Sequence, residues 1–96
     1  MPRVKVITIL HLVEVLGSRE IPLEVPEGTT VASLMKLLAR RCDPARADQI
    51  FADSEGTLQP SITVMVNGRL VAFAGGLEAA LSEGDEVLVL PAVGGG

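Results

Sequence analysis

Aromatic residues are almost missing from this chain: of its 96 residues two are Phe, and none is Trp or Tyr. Any core must therefore be aliphatic. A single cysteine excludes an internal disulfide and any four-cysteine metal or cluster site. The single histidine, His11, has no neighbouring Cys, Ser or second His with which to form a dyad or a metal site, so a strand or surface imidazole is expected. Cations are also few, with eight Lys and Arg against twelve Asp and Glu, a net charge of −4. That balance argues against nucleic acid as a partner, because phosphate-backbone binding needs clustered Lys and Arg. No apolar run approaches the ~20 residues of a membrane span. The N-terminus lacks the layout of a signal peptide, so no membrane association and a cytoplasmic location are expected.

What is present reads as one globular domain. An apolar fraction of 48% with 21% charged residues supplies a core and a solvated surface, and 96 residues leave room for one core. Val4 to Leu12 is rich in β-branched and apolar residues and predicts a strand. Its faces would be Val4, Val6, Thr8, Leu10 and Lys5, Ile7, Ile9, His11. Both are partly apolar, which predicts a central strand or a second face used for interaction. Gly17-Ser18 makes a turn, and Ile21 to Val25 returns as a second strand. Pro22 assigns that strand to a sheet edge, where a missing N–H is tolerated.

Thr29 or Thr30 can cap a helix beginning at Val31. Val31, Leu34, Met35, Leu38 and Cys42 fall on one helical stripe, and Arg40 and Arg41 suit the negative end of the helix dipole. Asp43-Pro44 stops this helix and offers the start of a short second one through about Phe51. Residues 53–57 read as a surface loop. Ile62 to Val66 is a strand, Asn67-Gly68 signals a two-residue hairpin turn, and Arg69 to Phe73 would pair back. Glu83-Gly84-Asp85 is a tight turn before a last strand, Glu86 to Leu90. The order strand, strand, helix, short helix and three strands suits a mixed sheet of about five strands with one main helix on one face, an α+β β-grasp. A ferredoxin-like fold competes, but no second long helix separates the late strands.

After the last strand come Pro91-Ala92-Val93-Gly94-Gly95-Gly96. Glycines carry no side-chain bulk, and three extended residues reach roughly 10 Å, so 94–96 would be a slender tail on a body of residues 1–93. Such a thread could take a terminal carboxylate into a channel closed to bulkier residues. The alternative is a frayed end without a role.

The motifs Val66-Asn67-Gly68-Arg69, Gly76-Leu77, Leu81, Glu83-Gly84-Asp85-Glu86-Val87 and Leu90-Pro91-Ala92-Val93-Gly94-Gly95 resemble the β-grasp, ubiquitin-like sulfur-carrier family. The likeness is strongest to the small-subunit branch of molybdopterin synthases. It is clearest from about Ile62 onward. Pro91-Ala92 stands where two prolines are common, and three terminal glycines stand where two are usual. The resemblance implies that the carboxyl of Gly96, presented with Gly95 and Gly94, is adenylated by a ubiquitin-activating-like partner enzyme using ATP. A sulfur donor then yields a thiocarboxylate, which the molybdopterin synthase large subunit would use to build the dithiolene. The chain itself would bind no cofactor or metal and would not be an enzyme alone. The resemblance also implies partner docking on an apolar patch of the open sheet face, with Leu70, Phe73, Leu90, Pro91 and Val93 as candidates. For Phe73, core packing is the competing reading. Alternatives are a carrier for tRNA thiolation, cysteine or thiamin, a modifier conjugated to lysines through its terminal glycine, and a non-covalent binding module. Cys42, ending an apolar stripe at a helix C-terminus, reads as a core thiol and not a sulfur relay. Asp85 and Glu86, adjacent in a turn and strand, read as turn and surface charges and not an acid–base pair.

Overall fold

The computed structural model describes residues 1–91. Strand β1 (Arg3–Thr8) alternates strictly, with Val4, Val6 and Thr8 buried and Lys5 and Ile7 on the other face. Helix α1 (Leu12–Leu16) follows, then strand β2 (Glu20–Glu24) and helix α2 (Val31–Arg41). The second half holds β3 (Ile62–Val66), β4 (Arg69–Leu70) and β5 (Glu86–Pro91). They form one sheet in the order β2-β1-β5-β3-β4. At its centre β1 and β5 run parallel, with Val6 beside Val87 and Thr8 beside Val89. The other neighbours are antiparallel, and β2, with Pro22 opposite Lys5, is an edge. The expected mixed five-stranded β-grasp is what the chain forms.

Helix α2 begins where Thr30 Oγ1 accepts a hydrogen bond from the Ser33 backbone N–H at 3.1 Å, a side-chain cap for an otherwise unpaired donor. Val31, Leu34, Met35 and Leu38 are buried along its expected stripe, and Cys42 follows as the C-terminal cap residue. They meet Val4, Val6, Val64, Val66, Val87 and Val89 from the sheet, with Leu12 and Val15 from α1. Most of the sheet's contribution is Val, which suits a strand surface and packs flat under a helix.

Five boundaries differ from the sequence-based expectation. The run expected as one strand to Leu12 stops at Thr8, because the chain turns at Leu10 and enters α1. That helix ends at Gly17, which at φ +85° donates its N–H to Val13 O at 2.8 Å. The expected short helix after Asp43-Pro44 is instead a turn, with Asp43 Oδ1 accepting from Ala45 N–H, and a brief 3-10 segment, Ala47–Gln49. The returning strand expected to Phe73 ends at Leu70. The Val71 carbonyl accepts from the N–H groups of Ala74 and Gly76, which curls residues 71–73 into a 3-10 turn and ends the ladder. The second strand spans Glu20–Glu24, not Ile21–Val25, and the last strand runs one residue further than expected, to Pro91.

The loop at 53–57 is more than a surface excursion. Asp53 Oδ1 accepts from the N–H groups of Glu55 and Thr57 at 2.9 and 3.2 Å. Glu55 reaches both Lys36 Nζ at 3.3 Å and Arg40 Nη2 at 3.1 Å on α2. Gly56, at φ +85°, lies against the α2 backbone so closely that a Cβ there would stand 2.5 Å from Lys36 N. Only glycine fits this seam.

Candidate functional site

The expected site has two parts, a tail and a docking face. Val93, Gly94, Gly95 and Gly96 lie outside the described residues, as does the boundary proposed between body and tail. The described chain brings us to the root at Pro91. That root is held on both sides: β5 pairs with β1 as far as Val89 and with β3 as far as Pro91, opposite Ile62. The segment after Pro91 therefore starts from the middle of the sheet and not from a loop.

Alternation along β5 decides what faces outward. Val87 and Val89 are buried, so Leu88 and Leu90 belong to the opposite face. The ladder places Ile7 beside Leu88, Leu88 beside Met65 and Met65 beside Leu70. These four side chains make an apolar row across four strands on the face away from α1 and α2. Leu90 starts the next row beside Thr63, and Glu86, Lys5 and Pro22 share the row before it. Lys5 Nζ lies 3.3 Å from Glu20 Oε1, with both side chains solvated, so this pair contributes little stability. Ile7, Met65 and Leu88 are half-buried and Leu70 is 42% exposed.

Of the expected docking residues, Leu70 and Leu90 stand on this open face, and Pro91 ends its central strand. Phe73 stands apart. It is 69% exposed, which removes the core reading, and it lies in the 3-10 turn after β4, beside a cleft of about 470 Å³ lined by Val31, Val66, Ala74, Ala79 and Leu81. Met65 and Leu88 join this face without a sequence-based expectation for either. A signal was available: a two-residue turn at Asn67-Gly68 pairs Val66 with Arg69 and hence Met65 with Leu70.

The hairpin that carries Leu70 is clasped to the start of β5. Asn67 has φ +51° and Gly68 φ +81°, the left-handed pair that a type I′ turn requires. Asn67 Nδ2 donates to Asp85 Oδ1 at 2.9 Å, Asn67 Oδ1 accepts from Glu86 N–H at 2.9 Å, and Asp85 Oδ2 accepts from Ser82 N–H at 2.8 Å. Asp85 thus serves a turn.

Cys42 is buried, and its S–H donates to Ala39 O at 3.4 Å. Burial pushes this thiol's pKa up, with the neighbouring Asp43 charge adding to the effect. A raised pKa lowers the thiolate fraction, the opposite of what a nucleophile needs. His11 is exposed, just ahead of α1.

A mixed sheet with a parallel central pair, one main helix across one face and an uncovered apolar row on the other defines a ubiquitin-like β-grasp protein. More particularly, residues 7–96 match the ThiS family, and the chain belongs to it: a family of β-grasp, ubiquitin-like sulfur carriers and modifiers. It is 35% identical to small archaeal modifier protein 3 of Haloferax volcanii, over 86% of this chain and 87% of that one. Among solved structures it resembles a protein assigned as molybdopterin converting factor subunit 1 from Pyrococcus furiosus, with TM-score 0.75 and 27% identity over 97% of this chain and all of that one. It also resembles a chain of the BexX/CysO complex of Amycolatopsis orientalis, with TM-score 0.68 and 32% identity over 97% and 99% of the two chains. Among the described residues no helix is long and apolar enough to cross a membrane.

Proposed function

We propose that this chain is a sulfur carrier whose Gly96 carboxyl is activated with ATP by a partner enzyme and converted to a thiocarboxylate. A free carboxylate is a poor electrophile. Adenylation, releasing pyrophosphate, makes it an acyl-adenylate, and a sulfur nucleophile then displaces AMP. The acceptor in this reading is the pyranopterin that becomes molybdopterin, reached in the large subunit of molybdopterin synthase. The observation that carries the proposal is the root at Pro91, paired on both sides at the sheet centre and flanked by the uncovered row Ile7, Leu88, Met65 and Leu70. A rigid root beside a docking surface lets a partner fix the direction from which the reactive carboxyl approaches, an entropic contribution to the reaction. Leu70, Leu90 and Pro91 belong to that surface in this reading, with Val93 and Gly94 to Gly96 entering the partner's channel. Phe73 would contact the partner from beside its own cleft. The carrier supplies no acid or base and needs no bound metal or cofactor. The likeness to the Pyrococcus furiosus protein supports the molybdopterin branch.

The test is intact mass after incubation with an adenylating enzyme of the same organism, ATP and a sulfur donor. The expected result is one sulfur-for-oxygen exchange located on Gly96. Gly96→Ala should melt with the wild type yet accept little or no sulfur. Unchanged mass with an enzyme that charges another carrier, or normal charging of Gly96→Ala, would overturn the proposal.

A second reading, conjugation to protein lysines through Gly96, is favoured by the 35% identity to a small archaeal modifier over most of the chain. Activation is shared, so the products discriminate. Isopeptide-linked adducts in cell extracts indicate the modifier, and thiocarboxylate on the free protein with sulfur passed to the pyranopterin indicates the carrier.

A further inference from the structure

The two aromatic residues of the chain are placed in opposite ways. Phe51 is 3% exposed in the core, and Phe73 is 69% exposed in the 3-10 turn after β4. A single apolar residue on a surface is ordinary. Phe73, however, stands at the cleft of about 470 Å³ whose floor includes Val31, Val66 and Leu81. The facing wall is made of small residues, among them Gly75, Ala79 and Ala80, which leave the space open. That wall is tied to the start of α2, with Val31 N–H donating to Ala79 O at 3.2 Å and Leu81 N–H to Thr29 O at 2.8 Å. The molecule therefore carries an aromatic knob and, beside it, a braced apolar hole that the knob leaves unfilled.

A two-fold contact needs one patch that holds both halves of each interaction, because the axis sets residue i against j and j against i. This patch meets the condition twice. Phe73 is the knob and the cleft is the hole, while Arg69 and Asp85, which also line the cleft, supply the two signs of charge. Arg69 has no ion-pair partner among the described residues of its own chain. Asp85 accepts from Asn67 and from Ser82 N–H, and a carboxylate has acceptor sites beyond those two. A partner protein would have to bring its own knob and charges; a second copy carries both.

The patch also lies apart from the sulfur-bearing end. Asn67 N–H donates to Glu86 O at the start of β5, whereas Pro91 ends that strand opposite Ile62. Arg69 and Leu70, adjacent in β4, point to opposite faces of the sheet.

We infer that the chain pairs with a second copy of itself about a two-fold axis, each Phe73 entering the other's cleft and each Arg69 meeting the other's Asp85. The pairing uses the side of β4 opposite Leu70 and leaves the row Ile7, Leu88, Met65 and Leu70 open. It meets the carrier reading only at Phe73, which a partner enzyme would contact once the copies separate.

The test is sedimentation equilibrium of the full chain over a concentration series up to about 1 mM. The wild type should show a reversible monomer–dimer equilibrium. Phe73→Ala removes the knob and keeps the hole. Ala80→Leu fills the hole from an exposed position and keeps the knob. Each should raise the dimer dissociation constant roughly tenfold or more, with circular dichroism unchanged. An equimolar mixture of the two variants regains one knob in one hole and should associate more tightly than either alone, which general apolar adhesion does not produce. A wild type monomeric throughout, a Phe73→Ala chain that pairs like the wild type, or a mixture no tighter than its components overturns the pairing. A monomeric wild type whose Phe73→Ala variant loses affinity for the adenylating enzyme overturns it in favour of that enzyme as the occupant. The carrier reading stands or falls separately, on the mass of Gly96 after charging.

Discussion

The two faces of the sheet use the same alphabet for different ends. Toward α2 the strands present Val4, Val6, Val64, Val66, Val87 and Val89, all buried and nearly uniform in shape. Away from it they present Ile7, Met65, Leu88, Leu90 and Leu70, apolar but uncovered and varied in shape. A protein that needed only to fold could extend the polar character of Lys5, Thr63 and Glu86 across the rest of this face at little cost, because solvent-facing strand positions tolerate polar residues. Flexible Met and Leu suit a surface that must fit a partner, while stiff Val suits one that must fit a single helix. Apolar content alone therefore does not mark the core of this protein; coverage does.

Adjacent residues of one strand make this contrast measurable. Val87→Ala removes two methyl groups from the fully buried face and should cost about 2 to 3 kcal/mol in urea unfolding. Leu88→Ala, one residue on and half-exposed, should cost about 1 kcal/mol or less. Its effect should fall on the partner, with a KM for the activating enzyme raised roughly fivefold, while Val87→Ala leaves that KM unchanged wherever the chain remains folded. Equal stability losses for the two would erase the distinction between the faces.

The smallest expected effect lies on the covered side, where the 53–57 loop is tied to α2. Hydrogen bonds from Lys36 and then Arg40 lower the pKa of Glu55, and those from Thr57 and then Glu55 lower that of Asp53. Both carboxyls are more acidic folded than unfolded. Their stabilisation is complete above the ordinary carboxylate range and is lost as pH falls through the depressed values. Urea midpoints should therefore drop on acidification slightly more for the wild type than for Asp53→Asn or Glu55→Gln. The difference is small because both carboxylates are fully solvated.

Much of the architecture was legible because local and global signals agree. The Val31 stripe, the Thr30 cap, Asn67-Gly68 and the edge-marking Pro22 each fixed an element, and their order left few topologies. Helix α1 was missed because Ile9, Leu10 and Leu12 prolong the apolar run of β1 past its end. The countersignal was present in Leu12, Val15 and Leu16 at helical spacing, closed by Gly17. The early end of β4 was not legible, since Val71 turns inward by carbonyl bonds that no side-chain pattern announces. On the candidate site, alternation revealed a second apolar face of the first strand. It could not show that Phe73 leaves the ladder, because that depends on where β4 stops. The positive φ of +57° at Leu10, where the chain leaves β1, is a backbone angle and has no counterpart in residue type.

The parallel pairing of β1 with β5 also bears on how the protein is made. The strand synthesised last of the five lies between the hairpin halves that precede it, so β1–β2 and β3–β4 have no common neighbour until residues 86–91 arrive. A ribosome-bound or prematurely terminated chain thus carries two unjoined ribbons and no finished platform. An enzyme that recognises the assembled sheet would pass such fragments over, and quality control would be built into the order of translation.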